Sequence, residues 1–335
     1  MMKDMHDLGV PVPNSKNLVV RTLKETTEKQ REKAQKETEY NVFSFPADLL
    51  VLDFLSDSGT TAMTDLQWSA LFHGDESYGR NKGYYVLLDT IRDVFERGDR
   101  PARKMHTILS GDADAEKLAK ELYLTSEQGG FVNGGAYQLE RPNAFICPQG
   151  RAAEHLLFFT LIQVLRERDG DGARGGGASG DGGSYYVPNN GHFDTTRANI
   201  AAAGMEPVNF YAGDVTSDFP AAEMDTSNPF KGDMDTAGLE AFIKEKGPDA
   251  IPLIYVTVTN NTVAGQPVSL GNIKEVKKIA DRYDIPLFLD ACRFAENAFF
   301  IQSFEKGYEK KSIREIVKEM FALAEGFTIS FKKDG

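Results

Sequence analysis

The chain has 335 residues, with 38 Lys and Arg against 50 Asp and Glu, a formal net charge of −12. So acidic a balance argues against a nucleic-acid binder, which needs a basic face to release counterions. Hydrophobic residues at 41% and charged residues at 26% are ordinary for a globular protein, and two cysteines are too few for a disulfide framework or a four-cysteine zinc site.

Residues 1–17 lack the positive, apolar and cleavage-site pattern of a signal peptide. Residues 21–40 are highly charged, contain no Gly or Pro, and read as an exposed helix or arm. A short apolar run at 51–55 predicts a strand, broken by Ser58-Gly59-Thr60. Val86, Leu87, Ile91, Val94 and Phe95 recur at helical spacing and predict a helix over 84–95. Residues 112–124 predict another, capped by Asp112 or Asp114. From 144 onward strands and helices alternate. Strands are expected at 144–147, 184–187, 208–211, 251–258, 286–289 and 327–330. Helices are expected at 150–166, 195–203, 236–246, 270–283 and 312–324. The alternation predicts an α/β fold with a mostly parallel sheet.

Residues 170–183, with Gly at eight of fourteen positions, cannot pack a core and read as a flexible surface insertion. No apolar run approaches the roughly 18–20 residues of a membrane span. The expectation is a cytoplasmic protein with reduced Cys147 and Cys292, handling small molecules, with no nucleic-acid or membrane partner. The sequence stops in a polar turn just past its last strand, so a C-terminally truncated chain is expected.

In parallel sheets ligands sit beyond the carboxyl ends of the strands. Asp290 ends an apolar strand in Leu287-Phe-Leu-Asp-Ala-Cys-Arg293. It is either a structural cap or a carboxylate for a protonated ring nitrogen. Gln149-Gly150-Arg151 lies between strand and helix, an ordinary turn or a phosphate cradle. Lys332 and Lys333 follow the last strand, where a desolvated lysine can form a Schiff base. Asn261 precedes the Gly265-Gln-Pro267 turn, as a cap or a ligand for an oxygen. Phe193 is a core residue or a platform for an aromatic ring. Gly74-Asp-Glu-Ser-Tyr78 brings a Tyr and carboxylates to one loop. Together these supply what pyridoxal phosphate needs: a Schiff-base lysine, a carboxylate for the ring nitrogen, a phosphate cradle and a ring platform.

At this point the chain resembles the pyridoxal-phosphate-dependent β-eliminating lyases, the tryptophanase and tyrosine phenol-lyase family. The matching segments are Ser56-Asp-Ser-Gly-Thr60, Gly74-Asp-Glu-Ser-Tyr78, Pro148-Gln-Gly-Arg151 with Glu154, and Phe193-Asp-Thr-Thr196. They continue with Gly265-Gln-Pro-Val-Ser269, Asp290-Ala-Cys-Arg-Phe-Ala-Glu-Asn-Ala-Phe299, and Ser330-Phe-Lys-Lys-Asp334, in family order. The resemblance implies the fold-type I, aspartate-aminotransferase-like architecture. Residues 1–50 would be an N-terminal arm and the start of a small domain. Residues 51–335 would be an incomplete cofactor-binding large domain, with insertions near 98–141 and 170–183, and most of the small domain would be missing.

The resemblance also implies roles. Lys333 holds pyridoxal 5'-phosphate and moves the α-proton of the substrate. Gln149, Gly150 and Arg151 bind the phosphate, with Ser330 and Lys332 nearby. Phe193 stacks on the ring, Asp290 pairs with its nitrogen and Arg293 approaches its hydroxyl. Asn261 and Ser58 hold the cofactor oxygen or the substrate carboxylate. Tyr78 protonates the leaving group. Gly59 and Glu76 match a monovalent-cation site, potassium in this family. The implied reaction cleaves L-tryptophan to indole, pyruvate and ammonia, since Asp194 follows the stacking Phe as in tryptophanase, where tyrosine phenol-lyase has Thr. Tyrosine phenol-lyase or another aromatic amino-acid β-lyase, and a truncated non-catalytic remnant, are the alternatives. A homo-oligomer, a tetramer by resemblance, is implied as well. Phe331 departs from the family, standing where a small residue is usual, and so does Ser56, where Thr is usual.

Overall fold

The computed structural model describes residues 25–50, 144–169, 184–215 and 227–333, with a few positions between 69 and 136. The chain divides into two units, Met1–Glu76 and Ser77–Gly335. In the first unit, the charged stretch forms helix α1, Glu28–Glu37. A capping box starts it: the Gln30 N–H donates to the Thr27 hydroxyl, and the Gln30 side chain accepts from the Thr27 N–H at 2.8 Å. Ala34 is its one buried residue, so its charges do face solvent.

The second unit carries a small antiparallel ladder, β1 (Phe131–Val132) with β2 (Gly135–Ala136). Its main sheet comprises β3 (Tyr186–Asn189), β4 (Glu206–Asn209), β5 (Ile254–Thr257), β6 (Leu287–Asp290) and β7 (Gly326–Thr328). The strand order is β4-β3-β5-β6-β7, and every ladder in it is parallel. Helix α2 (Gly150–Asp169) precedes β3, and the crossovers carry α3 (Asp194–Ala202), α4 (Thr236–Lys246), α5 (Leu270–Arg282), α6 (Phe294–Phe304) and α7 (Ile313–Phe321).

The pleat sorts the core into two layers, because alternate strand residues face opposite sides. Ile254 and Val256 of β5 and Leu287 and Leu289 of β6 pack with Leu239 and Ile243 of α4, Ile273 and Val276 of α5, Ile301 of α6 and Ile316 of α7. The intervening Tyr255 and Phe288 face the other way, onto Phe158, Leu161 and Leu165 of α2 and Ile200 of α3. Helices therefore cover both faces, as a parallel sheet requires. Polar caps start the helices: the Asp235 carboxylate accepts from the Ala237 and Gly238 N–H groups of α4 at 3.1 and 3.0 Å. A capping box between Ser312 and Glu315 begins α7. Asp233, which accepts from the Ser269 N–H at 2.7 Å, is pushed up to about 6 by burial.

The α/β expectation holds, and its boundaries shift for physical reasons. Residues 144–147 form no strand: Phe145 and Ile146 are 77% and 51% exposed, and no ladder partner meets them among the described residues. An apolar run is not a strand without a neighbouring ladder. The strand expected at 184–187 runs through Pro188 to Asn189, although Pro reads as a terminator. The strand expected at 208–211 begins and ends two residues earlier, and that at 251–258 is trimmed to Ile254–Thr257. Helix α6 was not expected as an element. Positions 87, 90, 91 and 93–95 are helical. There Phe95 packs its ring on those of Phe294, Phe321 and Phe327, with centroids 5.1, 4.7 and 5.5 Å away. The strand at 51–55, the helix at 112–124 and the glycine-rich 170–183 lie outside the described residues. No helix among the described residues is long and apolar enough to cross a membrane.

Leu289 is fully buried between sheet and helices. Leu289→Ala should lower the unfolding free energy by about 2–5 kcal/mol in urea titrations. A loss under about 1 kcal/mol would contradict this packing.

Candidate active site

The chain leaves β3 for β4 on one side and later returns to β5 on the other. This reversal opens a crevice beyond the carboxyl ends of β3 and β5, the usual ligand position in such sheets. The loops after β3, β5, β6 and β7 all begin at this edge.

Side-chain amides fix the first two loops. The Asn190 amide donates to the Thr257 carbonyl at 3.0 Å and accepts from the Thr257 N–H at 2.8 Å. It also donates to the Gly232 carbonyl at 2.8 Å. Asn189 Oδ1 accepts from the Gly191 N–H at 2.6 Å, and the Thr262 hydroxyl donates to the His192 carbonyl at 2.7 Å. These bonds hold the segment that delivers Phe193, half-buried at the entrance to α3. Beside it, the His192 ring contacts Asn209 Oδ1 through Nδ1 at 2.6 Å. Burial pushes His192 down to about 4, so it is neutral at neutral pH.

Asp290 is the last residue of β6 and is 2% exposed. It shares the face of Phe288, toward α2. Burial and the nearby charge of Glu154 push its carboxyl up to about 6, while the Cys292 thiol and the Lys333 ammonium act the other way. The thiol donates to Asp290 Oδ1 at 3.1 Å. Burial and the Asp290 charge push Cys292 far up, so it remains a protonated donor. Beneath Asp290, Tyr255 and Thr328 share a hydrogen bond between their hydroxyls. Arg293 begins the turn into α6, and its guanidinium donates to Asn261 Oδ1 at 2.9 Å.

The remaining candidates meet at β7. A Cβ added to Gly150, the first residue of α2, would stand 3.2 Å from the Ser330 Cβ. A side chain at 150 would crowd that approach, so the helix N-terminus and the Ser330 turn come together around a glycine. The turn closes through the Lys333 N–H, which donates to the Ser330 carbonyl at 3.3 Å. Lys333 is half-buried, and Lys332 and Phe331 are exposed. Gln149 and Arg151 are exposed on either side of Gly150, and Asp194 is exposed in the first turn of α3.

The fold thus brings Gly150 to Ser330, Lys333 within electrostatic reach of Asp290, and Arg293 to Asn261. Ser58, Gly59, Glu76 and Tyr78 lie outside the described residues. Among the described residues, no group of three or more His, Cys, Asp or Glu could hold a metal ion. Sequence reasoning gave no role to Glu154, Cys292 or His192. The available signals were a charged residue on the inward face of α2 and a thiol two positions past the strand-end acid.

The arrangement suits a phosphorylated aromatic cation. A buried, incompletely compensated carboxylate is relieved by a ring N–H, and a helix N-terminus favours an anion. These features fit pyridoxal phosphate.

The profile of the family described as beta-eliminating lyase matches residues 53–335. The tryptophanase of Salinibacter ruber is 36% identical over 313 residues, covering 92% of this chain and 51% of that protein. A probable beta-eliminating lyase of Trichomonas vaginalis is 38% identical, covering 95% of this chain and 54% of its own. The tyrosine phenol-lyase of Symbiobacterium thermophilum is 35% identical, covering 94% and 54%. The chain therefore spans about half the length of the curated relatives it matches. Among solved structures, mouse CSAD in apo form aligns at 11% identity over 79% of this chain and 54% of its own, with a TM-score of 0.33.

The raised carboxyl of Asp290 sets a pH dependence. A folded value above the unfolded one means stability that is full below the ordinary carboxylate range and lost as pH rises through about 6. Between pH 4 and 7 the cofactor-free chain should lose on the order of 2 kcal/mol relative to Asp290→Asn. Parallel stability profiles for the two proteins would contradict the burial of this charge.

Proposed function

We propose that this chain, which belongs to the β-eliminating lyase family, builds the cofactor seat of a pyridoxal-phosphate-dependent lyase acting on aromatic amino acids, with L-tryptophan as substrate. The observation that carries the proposal is the buried Asp290 carboxylate with the Lys333 ammonium acting on it. Pyridoxal phosphate, when bound, supplies an electron sink for the carbanion formed at the amino acid's Cα.

Each residue then has a task. Asp290 accepts a hydrogen bond from the protonated ring nitrogen and keeps that proton in place. Gln149, Gly150, Arg151 and Ser330 hold the phosphate, with Lys332 adding charge at its margin. Phe193 covers one face of the ring and excludes water. Arg293, oriented by Asn261, donates to the ring oxygen. Lys333 Nζ takes the proton from Cα. Tyr78 gives a proton to the departing ring carbon, with Asp194 assisting. Ser58 and Asn261 hold the substrate carboxylate. With one water consumed, indole, pyruvate and ammonia are the products.

Asp194 beside Phe193 favours tryptophan over tyrosine. Potassium at Gly59 and Glu76 and a homotetramer belong to the same reading and rest on the resemblance, while a cytoplasmic location rests on the sequence composition.

The test starts from pyridoxal phosphate mixed with the 335-residue chain. An absorbance band near about 420 nm, and a borohydride-trapped label on Lys333 by peptide mapping, are expected. Lys333→Ala should abolish the label. A label on another lysine would refute the assignment. Indole released from L-tryptophan, in excess of phenol from L-tyrosine, is the expected product pattern, and the reverse order would move the substrate to tyrosine.

A further inference from the structure

The helix that opens at Gly150 carries Glu154 one turn later, and this carboxylate is only 4% exposed. A buried charge needs partners. Among the described residues, Glu154 finds hydrogen-bond donors on α3. The Thr195 hydroxyl donates to it at 2.9 Å, the Thr196 hydroxyl at 2.5 Å and the Asn199 amide at 3.4 Å. The Asn199 amide also donates to the Arg151 carbonyl at 3.4 Å, and the His155 ring lies 3.3 Å from Asn199 Oδ1.

Favourable alignment with the helix dipole does not explain this burial, since an exposed carboxylate in the first turn achieves the same. Nor does anion binding, because a negative charge one turn from a phosphate seat repels the phosphate. What the carboxylate does accomplish is mechanical. One end of the clamp is the helix that begins at Gly150. The other end is the segment directly after Phe193.

We propose that Glu154 is a positioning residue, locking the phosphate corner at Gln149–Arg151 to the Phe193 ring platform so that one ligand engages both at once. The inference rests on the pyridoxal phosphate reading above and assigns Glu154 a part in it. Its signature is coupling between two parts of the ligand. Pyridoxal phosphate spans both halves of the seat, whereas pyridoxal, lacking the phosphate, reaches only the platform and the lysine.

The experiment titrates the 335-residue chain and its variants with both ligands by absorbance, then traps each with borohydride and maps the label. In Glu154→Ala and Thr196→Val the preference for pyridoxal phosphate over pyridoxal should fall about tenfold, the scale of one charge-assisted hydrogen bond. Thr196→Ser, which keeps the hydroxyl, should retain the preference. Thermal unfolding identifies any variant that fails to fold. Thr196→Val and Thr196→Ser then carry the comparison if Glu154→Ala does not fold.

Equal weakening of both ligands, or none, in a folded Thr196→Val protein would overturn the proposal. A wild-type chain without label on Lys333 would overturn the cofactor reading and this inference together. A Lys333 label with unchanged preference in the variants would overturn this inference alone.

Discussion

A carboxylate excluded from water at the end of β6 is the constraint on which the rest of the site depends. Asp290 is there because the strand's alternation leaves it no choice. With Leu287 and Leu289 committed to the α4–α7 layer, Phe288 and Asp290 must face α2. The same parity sends Tyr255 under it. Everything in contact with Asp290 therefore comes from the α2 side of the sheet or from the loop beyond the strand. Cys292 donates, Lys333 offers charge, and Glu154 opposes. A protein selected for stability alone would place an apolar residue at this point.

The surrounding loops show a second physical theme, the use of side-chain amides as backbone substitutes. Where parallel strands end, their peptide groups run out of ladder partners. Asn189 and Asn190 continue the pairing between β3 and β5 with their own donors and acceptors. Rigid loops result without further strand. This is how a segment as irregular as 190–193 can hold an aromatic ring in a fixed place. Helix α5 is secured similarly, with the Glu305 carboxylate accepting from the Leu270 and Gly271 N–H groups at 2.7 and 2.8 Å.

The sheet was legible in the sequence because its central strands are short apolar runs between helical periods. Helix 236–246 was readable to the residue, since Asp235 caps it and Gly247 ends it. Segment 144–147 misled because apolarity alone does not reveal whether a neighbouring ladder exists. Helix α6 escaped because Phe294-Ala-Glu-Asn-Ala-Phe-Phe-Ile301 is apolar nearly all round and shows no clear period. That Asp290 ends a strand, and that Phe193 and Asn261 fall just past strands, was legible from position and residue type. The couplings were not. Gly150 with Ser330, Cys292 with Asp290, and Glu154 with Thr196 are contacts that follow only from how elements stack.

The approach of Gly150 to Ser330 bears on the order of events during synthesis. The two residues lie far apart in sequence, one before β3 and the other after β7. Contacts so distant in sequence form late, because the intervening loop must close first. A nascent chain with β3 to β6 already assembled would still lack the Ser330 side of this contact. The corner at Gly150 would stay open until β7 docks beside β6. On the proposed reading of this corner, ligand capture waits on the docking of β7.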